Sequence, residues 1–174
     1  MEEEVEHDPD PKGRVSAKCE AVFRRDHAQT NMTRAELLAF LRMHRLAVVS
    51  TIHDGAPQAA VVGVAISDDL EIIFDTLTTS RKYQNLRADP HAALVIGWHA
   101  EQTAQVEGVA DFPTGTELYA CKRVYFAAWP DGPERETWPN IGYVRVRPRW
   151  VRFSDFGTVP VRIEEMSLSS TASS

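Results

Sequence analysis

Cysteine is scarce: Cys19 and Cys121 are the only two in 174 residues. Two thiols so far apart make neither a disulfide framework nor a zinc site, and fit a reducing compartment. Positive charge is also in short supply. Lys and Arg total 19 against 25 Asp and Glu, a formal charge of −6. Non-specific nucleic-acid binding needs surplus cations to displace counterions, and a polybasic membrane-surface role needs the same surplus. Neither a nucleic acid nor a membrane is therefore expected as a partner. No run reaches the roughly 18 apolar residues that span a bilayer. The amino end lacks a basic region followed by an apolar stretch, so no secretory signal is read. His7, His27, His44, His53, His91 and His99 show no ligand spacing, and no metal site is assigned. The expectation is a soluble cytoplasmic protein.

What is present is ordinary for a globular chain: 43% apolar, 25% charged and 9% aromatic residues. The length suits one domain with a proper core. The acid excess gathers at the amino end, where Glu2, Glu3, Glu4, Glu6, Asp8 and Asp10 face Lys12 alone. Residues 1–13 are expected to be a disordered acidic segment, because they cannot bury enough apolar surface to stay ordered. Ser167 to Ser174 reads as a Ser-rich frayed tail. Residues 14–166 are then a single domain.

Thr33-Arg34-Ala35-Glu36 is a capping box opening a helix with Leu37, Leu38 and Leu41 on one face. Strands are expected at Leu46 to His53, Gln58 to Ser67 and Leu70 to Thr76, a three-stranded meander turned first at Asp54-Gly55. A short helix from Ser80 stops before Pro90, and strands follow at Ala92 to His99 and Thr103 to Phe112. A helix from about Thr116 to Ala128 ends at Trp129-Pro130-Asp131-Gly132-Pro133, and Ile141 to Ser154 is the last long strand. Six strands with inserted helices predict a mainly β, α+β fold built on an antiparallel barrel.

The most informative stretch is Phe74-Asp75-Thr76, then Ser80-Arg81-Lys82 after three spacer residues. A strand delivers a hydroxyl at Thr76, and a helix opens on two cations. Cations are disfavoured at the positive end of a helix dipole, whereas an anion is favoured there. A guanidinium offers phosphate a planar fork and an ammonium adds a point charge. The pattern reads either as a phosphate clamp or as a capped surface helix with a basic first turn. Arg145, Arg147 and Arg149 share one side of their strand, which reads as a solvated face, and Cys121 reads as a small buried apolar residue. Trp129, Trp138 and Trp150 read as core or interface mass.

The run Gly55-Ala56-Pro57, a Val-rich strand, Phe74-Asp75-Thr76, Ser80-Arg81-Lys82, Asn85-Leu86, Asp89-Pro90, Leu94 to Trp98 and Gln105-Val106-Glu107-Gly108 resembles the pyridoxamine 5′-phosphate oxidase-like family. The resemblance covers roughly residues 33–156. It implies a six-stranded antiparallel split β-barrel of the FMN-binding type, a homodimer with the cofactor at its interface, and flavin-dependent oxidoreductase activity. It implies that Ala60, Val61, Val62 and Gly63 run beside the isoalloxazine ring, and that Asp75, Thr76 and Ser80 belong to the cofactor site. Arg81 and Lys82 match the phosphate-binding pair, and Gln105 matches a glutamine that meets the flavin. Tyr119 and Arg123 keep a Tyr-x-x-x-Arg spacing of the oxidases' substrate helix.

Departures accompany the match. The authentic oxidases carry Arg and Lys on the second strand, where this chain has only Ala, Val and Gly from Ala59 to Ala65. Their closing Trp-Gln-Gly turn and later Arg-x-His-Asp-Arg segment have no counterpart around Phe153 to Gly157. These losses point away from pyridoxamine phosphate and toward an unidentified small-molecule substrate. No side chain is assigned as a covalent catalyst. The alternatives are a deazaflavin-dependent reductase and a non-catalytic module that binds flavin or haem.

Overall fold

The computed structural model describes residues 32–168. The expectations for residues 1–13, for Cys19 and for the end of the tail lie outside the described residues. Helix α1 (Arg34–Met43) starts at the reciprocal cap foreseen in the sequence: the Glu36 amide donates to Thr33 Oγ1, and the Thr33 amide donates to Glu36 Oε2 at 2.7 Å. That amide holds the Glu36 carboxyl below the usual carboxylate range. Strands β1 (Leu46–His53) and β2 (Ala56–Gly63) follow, joined where Asp54 and Gly55 both take positive φ, the geometry of a tight hairpin. Next come β3 (Ala65–Ile66), β4 (Ile72–Leu77), α2 (Arg81–Ala88), β5 (His91–Ile96) and β6 (Gln102–Asp111). Helices α3 (Gly115–Ala128) and α4 (Gly132–Arg135) precede β7 (Ile141–Asp155) and β8 (Arg162–Ser167).

All pairings are antiparallel, in the order β2-β1-β5-β6-β7-β4-β3, with β8 beside β7. The two ends of this order, β2 and β3, are consecutive in the chain and separated only by Val64. The expected strand from Gln58 to Ser67 therefore leaves one end of the sheet and re-enters at the other, and the sheet curls into a split barrel. The three-stranded meander is corrected accordingly: β2 pairs with β1, and β4 with β3 and β7. With β2 and β3 taken as one strand, the six expected strands form the barrel. β8 is an addition, and it draws Ser167 out of the expected tail into register with Trp150.

Alternation of side chains sends one set into the barrel and the other outward. Val49, Val62, Phe74, Leu94, Val106 and Val144 fill the interior, and Leu37, Phe40 and Leu41 of α1 pack against them. Outward residues of β3, β4 and β7 are covered by α3: Ala65, Ile73 and Tyr143 form a second cluster with Cys121 and Tyr125. The outer face of β2, β1 and β5 receives no helix from the described residues. A cross-strand row Val61–Val48–Val95–Gln105 runs over it, with Ala59–Ser50–Ala93–Glu107 beside it.

In β7 the register against β6 shifts between Glu107 and Gly108, so that Arg149 is the extra residue of a bulge next to Pro148. Proline lacks the N–H a ladder requires and is accepted at such an irregularity. The bulge breaks the expected alternation of Arg145, Arg147 and Arg149. Arg145 is 6% exposed, bound to Asp111 at 2.9 Å and to Glu117 at 3.2 Å, with Glu71 at 3.6 Å. Arg147 and Arg149 are exposed, as the solvated face read from sequence expects, though Arg147 reaches the same three carboxylates; Arg145 lies buried among them beneath α3.

Candidate functional site

The loop from β4 to α2 is fastened at both sides of the expected anion site. Thr76 Oγ1 and Ser80 Oγ are 3.1 Å apart, and Ser80 Oγ accepts the Tyr83 amide as the cap of α2. The Thr78 amide donates to the Asn140 carbonyl at 2.7 Å, which ties the loop to the start of β7. The first turn of α2 has no acidic residue, and among the described residues neither Arg81 nor Lys82 has an ion-pair partner. Two cations at a helix start are disfavoured by the helix dipole, and an anion beside them would offset that cost.

These cations line a cleft of about 520 Å³ between the start of α2 and the strands β1 and β2. Val49, Thr51, Gln58, Ala59 and Ala60 form its other walls. Among the described residues no carboxylate lines it, and its polar side chains are two cations, a hydroxyl and an amide, a set that favours an oxyanion over a metal cation.

The structure brings Ala60, Arg81 and Lys82 to this cleft, and Thr76 near the end of β4 meets Ser80 to brace the loop that supports it. Val61 points outward and is 62% exposed, Val62 lies in the barrel core, and Gly63 sits under Trp129. Gln105 is exposed on the outer face, in the same row as Val61. The expected ring-side residues are thus split between the cleft and the uncovered face. Asp75 lies on the other side of β4 from Thr76, and its carboxylate accepts from Tyr125 Oη at 2.8 Å and Arg135 Nε at 2.7 Å.

That contact reshapes the local electrostatics. Burial raises the Tyr125 pKa well above its ordinary value, and the hydrogen bond to Asp75 adds to the shift. For Arg135, burial opposes the charge, but the bond and charge of Asp75 more than offset it and hold the group firmly protonated. Tyr143, whose buried hydroxyl has no partner among the described residues, is pushed up to about 12 by burial, with the charge of Glu136 contributing. Burial raises the Cys121 thiol as well, so this cysteine is an inert core residue.

Arg123 lines a second cavity, about 600 Å³, between α3, β3 and the end of α1. Arg42, His44 and Arg45 share its lining, whereas Tyr119 is 67% exposed and is not among the lining residues. Burial, then the nearby His99, lowers the His44 pKa and favours a neutral ring. Among residues that sequence reasoning passed over, Thr51, Gln58 and Asn85 matter most. Asn85 stands in the Asn85-Leu86 element of the family run without a role attached to it, and no motif marks Thr51 or Gln58, because strands β1 and β2 bring these two together in register while Asn85 reaches both from a helix 27 positions beyond Gln58.

The protein-family model described as pyridoxamine 5′-phosphate oxidase matches residues 33–155. The chain belongs to this family. A pyridoxine/pyridoxamine 5′-phosphate oxidase of Bordetella avium is 35% identical over 87 residues, 49% of this chain and 40% of that protein. The chain thus matches less than half the length of that oxidase. A haem-binding protein from Mycobacterium smegmatis superposes with a TM-score of 0.68 at 19% identity, covering 80% of this chain and 60% of the other. An FAD-binding protein from Mesorhizobium loti gives 0.57 at 15% identity, covering 69% and 92%. At such identities these two structures establish the split-barrel fold common to the pyridoxamine 5′-phosphate oxidase family. Among the described residues, no helix is long and apolar enough to cross a membrane.

Proposed function

We propose that the chain is an FMN-dependent oxidoreductase acting on a small substrate other than pyridoxamine phosphate. The observation that carries this reading is the pair Arg81 and Lys82 at the mouth of a cleft that, among the described residues, has no carboxylate in its lining and gives neither cation an ion-pair partner. The donor set fits the terminal phosphate of FMN: Arg81 as a fork, Lys82 as a point charge, and the capped helix start behind them. When bound, FMN supplies hydride and electron transfer, chemistry that belongs to the cofactor. The chain's own residues bind and orient. Thr76 and Ser80 brace the loop that carries the cations, and Ala60 adds only a methyl group to the wall of the cleft.

Val61 and Gln105 lie on the uncovered outer face, outside the cleft. A second copy of the chain seated on the Val61–Val48–Val95 row would bring this face and the cleft into one site, so a homodimer with the cofactor at its interface completes the proposal. The cavity at Arg123 is the candidate substrate site. Its cations Arg42, Arg45 and Arg123 suit a substrate that bears an anionic group.

The test is the absorbance spectrum of the purified protein, with mass spectrometry of whatever it releases on denaturation. Flavin bands that vanish in the Arg81→Ala/Lys82→Ala variant support the reading. A colourless protein that takes up no added FMN overturns it. A deazaflavin mass or a Soret band assigns the cleft to the rival cofactors instead.

A further inference from the structure

Asn85 is 3% exposed on the inner side of α2. Its Nδ2 donates to Thr51 Oγ1 at 3.0 Å and to Gln58 Oε1 at 3.1 Å. Both acceptors line the cleft that holds Arg81 and Lys82. The amide nitrogen carries two hydrogens, and these two bonds use both.

The consequence falls on Gln58. A free glutamine amide can turn either edge to a ligand, its carbonyl oxygen or its NH2. Here the oxygen is held by Asn85, so the NH2 edge is the one left for the cleft. Thr51 is constrained in the same way: its oxygen accepts, and its hydroxyl proton remains to donate. We infer that Asn85 is a positioning residue that fixes Gln58 as a donor, so that Gln58 binds the phosphate of the cofactor from the strand side, opposite Arg81 and Lys82. The inference rests on the FMN reading above and adds to it Gln58, an uncharged residue outside the quoted motifs. It also accounts for an otherwise costly feature, since a polar side chain buried beside a cleft is retained at a price in desolvation unless its bonds are all made. On this strand the chain has Ala, Val and Gly from Ala59 to Ala65. Gln58 is the polar side chain of β2 that reaches the cleft.

The experiment is titration of purified protein with FMN and, separately, with riboflavin, followed by quenching of flavin fluorescence. The quantity read is the ratio of the two dissociation constants, which a partly unfolded sample leaves unchanged. Gln58→Leu is expected to cut the preference for FMN about tenfold, as for one hydrogen bond to a charged group, with riboflavin affinity held. Asn85→Leu is expected to produce the same loss of preference. The double variant should be no worse than Gln58→Leu alone, because Asn85 acts through Gln58. Should Asn85→Leu fail to fold, Asn85→Ala takes its place in both comparisons, while Gln58→Leu, its side chain only half-buried, tests the phosphate contact by itself. An unchanged ratio in Gln58→Leu, with wild-type protein preferring FMN, overturns the inference and leaves the cofactor reading intact. Additive losses in the double variant overturn the positioning role of Asn85. Wild-type protein that binds neither FMN nor inorganic phosphate overturns both.

Discussion

Arg135 Nε lies 2.7 Å from Asp75 Oδ2, and through that pair the short helix α4 is bound to the middle of the barrel wall. Both side chains are mostly buried, and Tyr125 Oη bonds to each of them, donating to Asp75 and accepting from Arg135 at 3.2 Å. Removing one member of such a group leaves a charge without its partner. Arg135→Ala is therefore expected to destabilise the fold by about 3 kcal/mol. Urea denaturation reads this as a lower midpoint with an unchanged slope. A loss under 0.5 kcal/mol would show that the pair behaves as an exposed one.

Tyr143 gives the opposite kind of prediction. Its hydroxyl is buried and has no partner among the described residues, so Tyr143→Phe removes an unsatisfied group and should be neutral or stabilising by up to about 1 kcal/mol. The pH dependence follows from its pKa of about 12 in the folded chain. In the unfolded chain a tyrosine ionises near 10. Below that value both states hold the proton and the tyrosine favours neither. Between about 10 and 12 the unfolded state sheds it first, and stability falls as pH rises. Urea midpoints at pH 9 and pH 11 should draw closer together in Tyr143→Phe than in the wild type. Tyr125, raised for the same reason, maintains part of the decline.

At Gly63 an added Cβ would stand 2.7 Å from the Trp129 ring, whose Nε1 donates to the Val64 carbonyl at 3.0 Å. Gly63→Ala must displace that indole and is expected to cost about 1–3 kcal/mol. Gly55→Asn makes the comparison. Gly55 takes positive φ in open space, where asparagine is tolerated, and its denaturation midpoint should stay within experimental error of the wild type.

Ser80→Ala removes the cap of α2 and the contact with Thr76 while leaving Arg81 and Lys82 in place. A loss of about 1 kcal/mol in stability is expected. FMN affinity, measured by the same fluorescence titration, should fall less than in the Arg81→Ala/Lys82→Ala variant. An equal fall would mean that the hydroxyl, and not the two cations, dominates the site.

Much of this was legible in the chain itself, for reasons that differ by element. Helix α1 announced itself through Thr33 and Glu36, a cap whose chemistry is local. The barrel strands showed through their Val and Ile content. Strand β8 did not, because Arg162-Ile163-Glu164-Glu165-Met166 lacks strict alternation and gains its place only by pairing with β7. Nor did α4, which lies inside a cluster of Gly and Pro that reads as a turn. In the candidate site, Arg81 and Lys82 stood out because two cations contradict a helix dipole. Asn85 and Gln58 contradict nothing in sequence, and their meaning arises only when a helix is laid across two strands. The partners of Arg145 escaped notice because Glu71, Asp111 and Glu117 lie far from it in the chain and meet it only when β4, β6 and α3 are folded around β7.

The uninterrupted link from Ala56 to Ile66 fastens to β1 along its first part and to β4 at its last two residues. One short length of backbone thus holds both margins of the barrel, in the manner of a buckle. Severing it at Val64, as in a circular permutant with new termini there, would free both margins together. Opening the chain at Asp54-Gly55 costs only a hairpin loop and leaves the buckle closed.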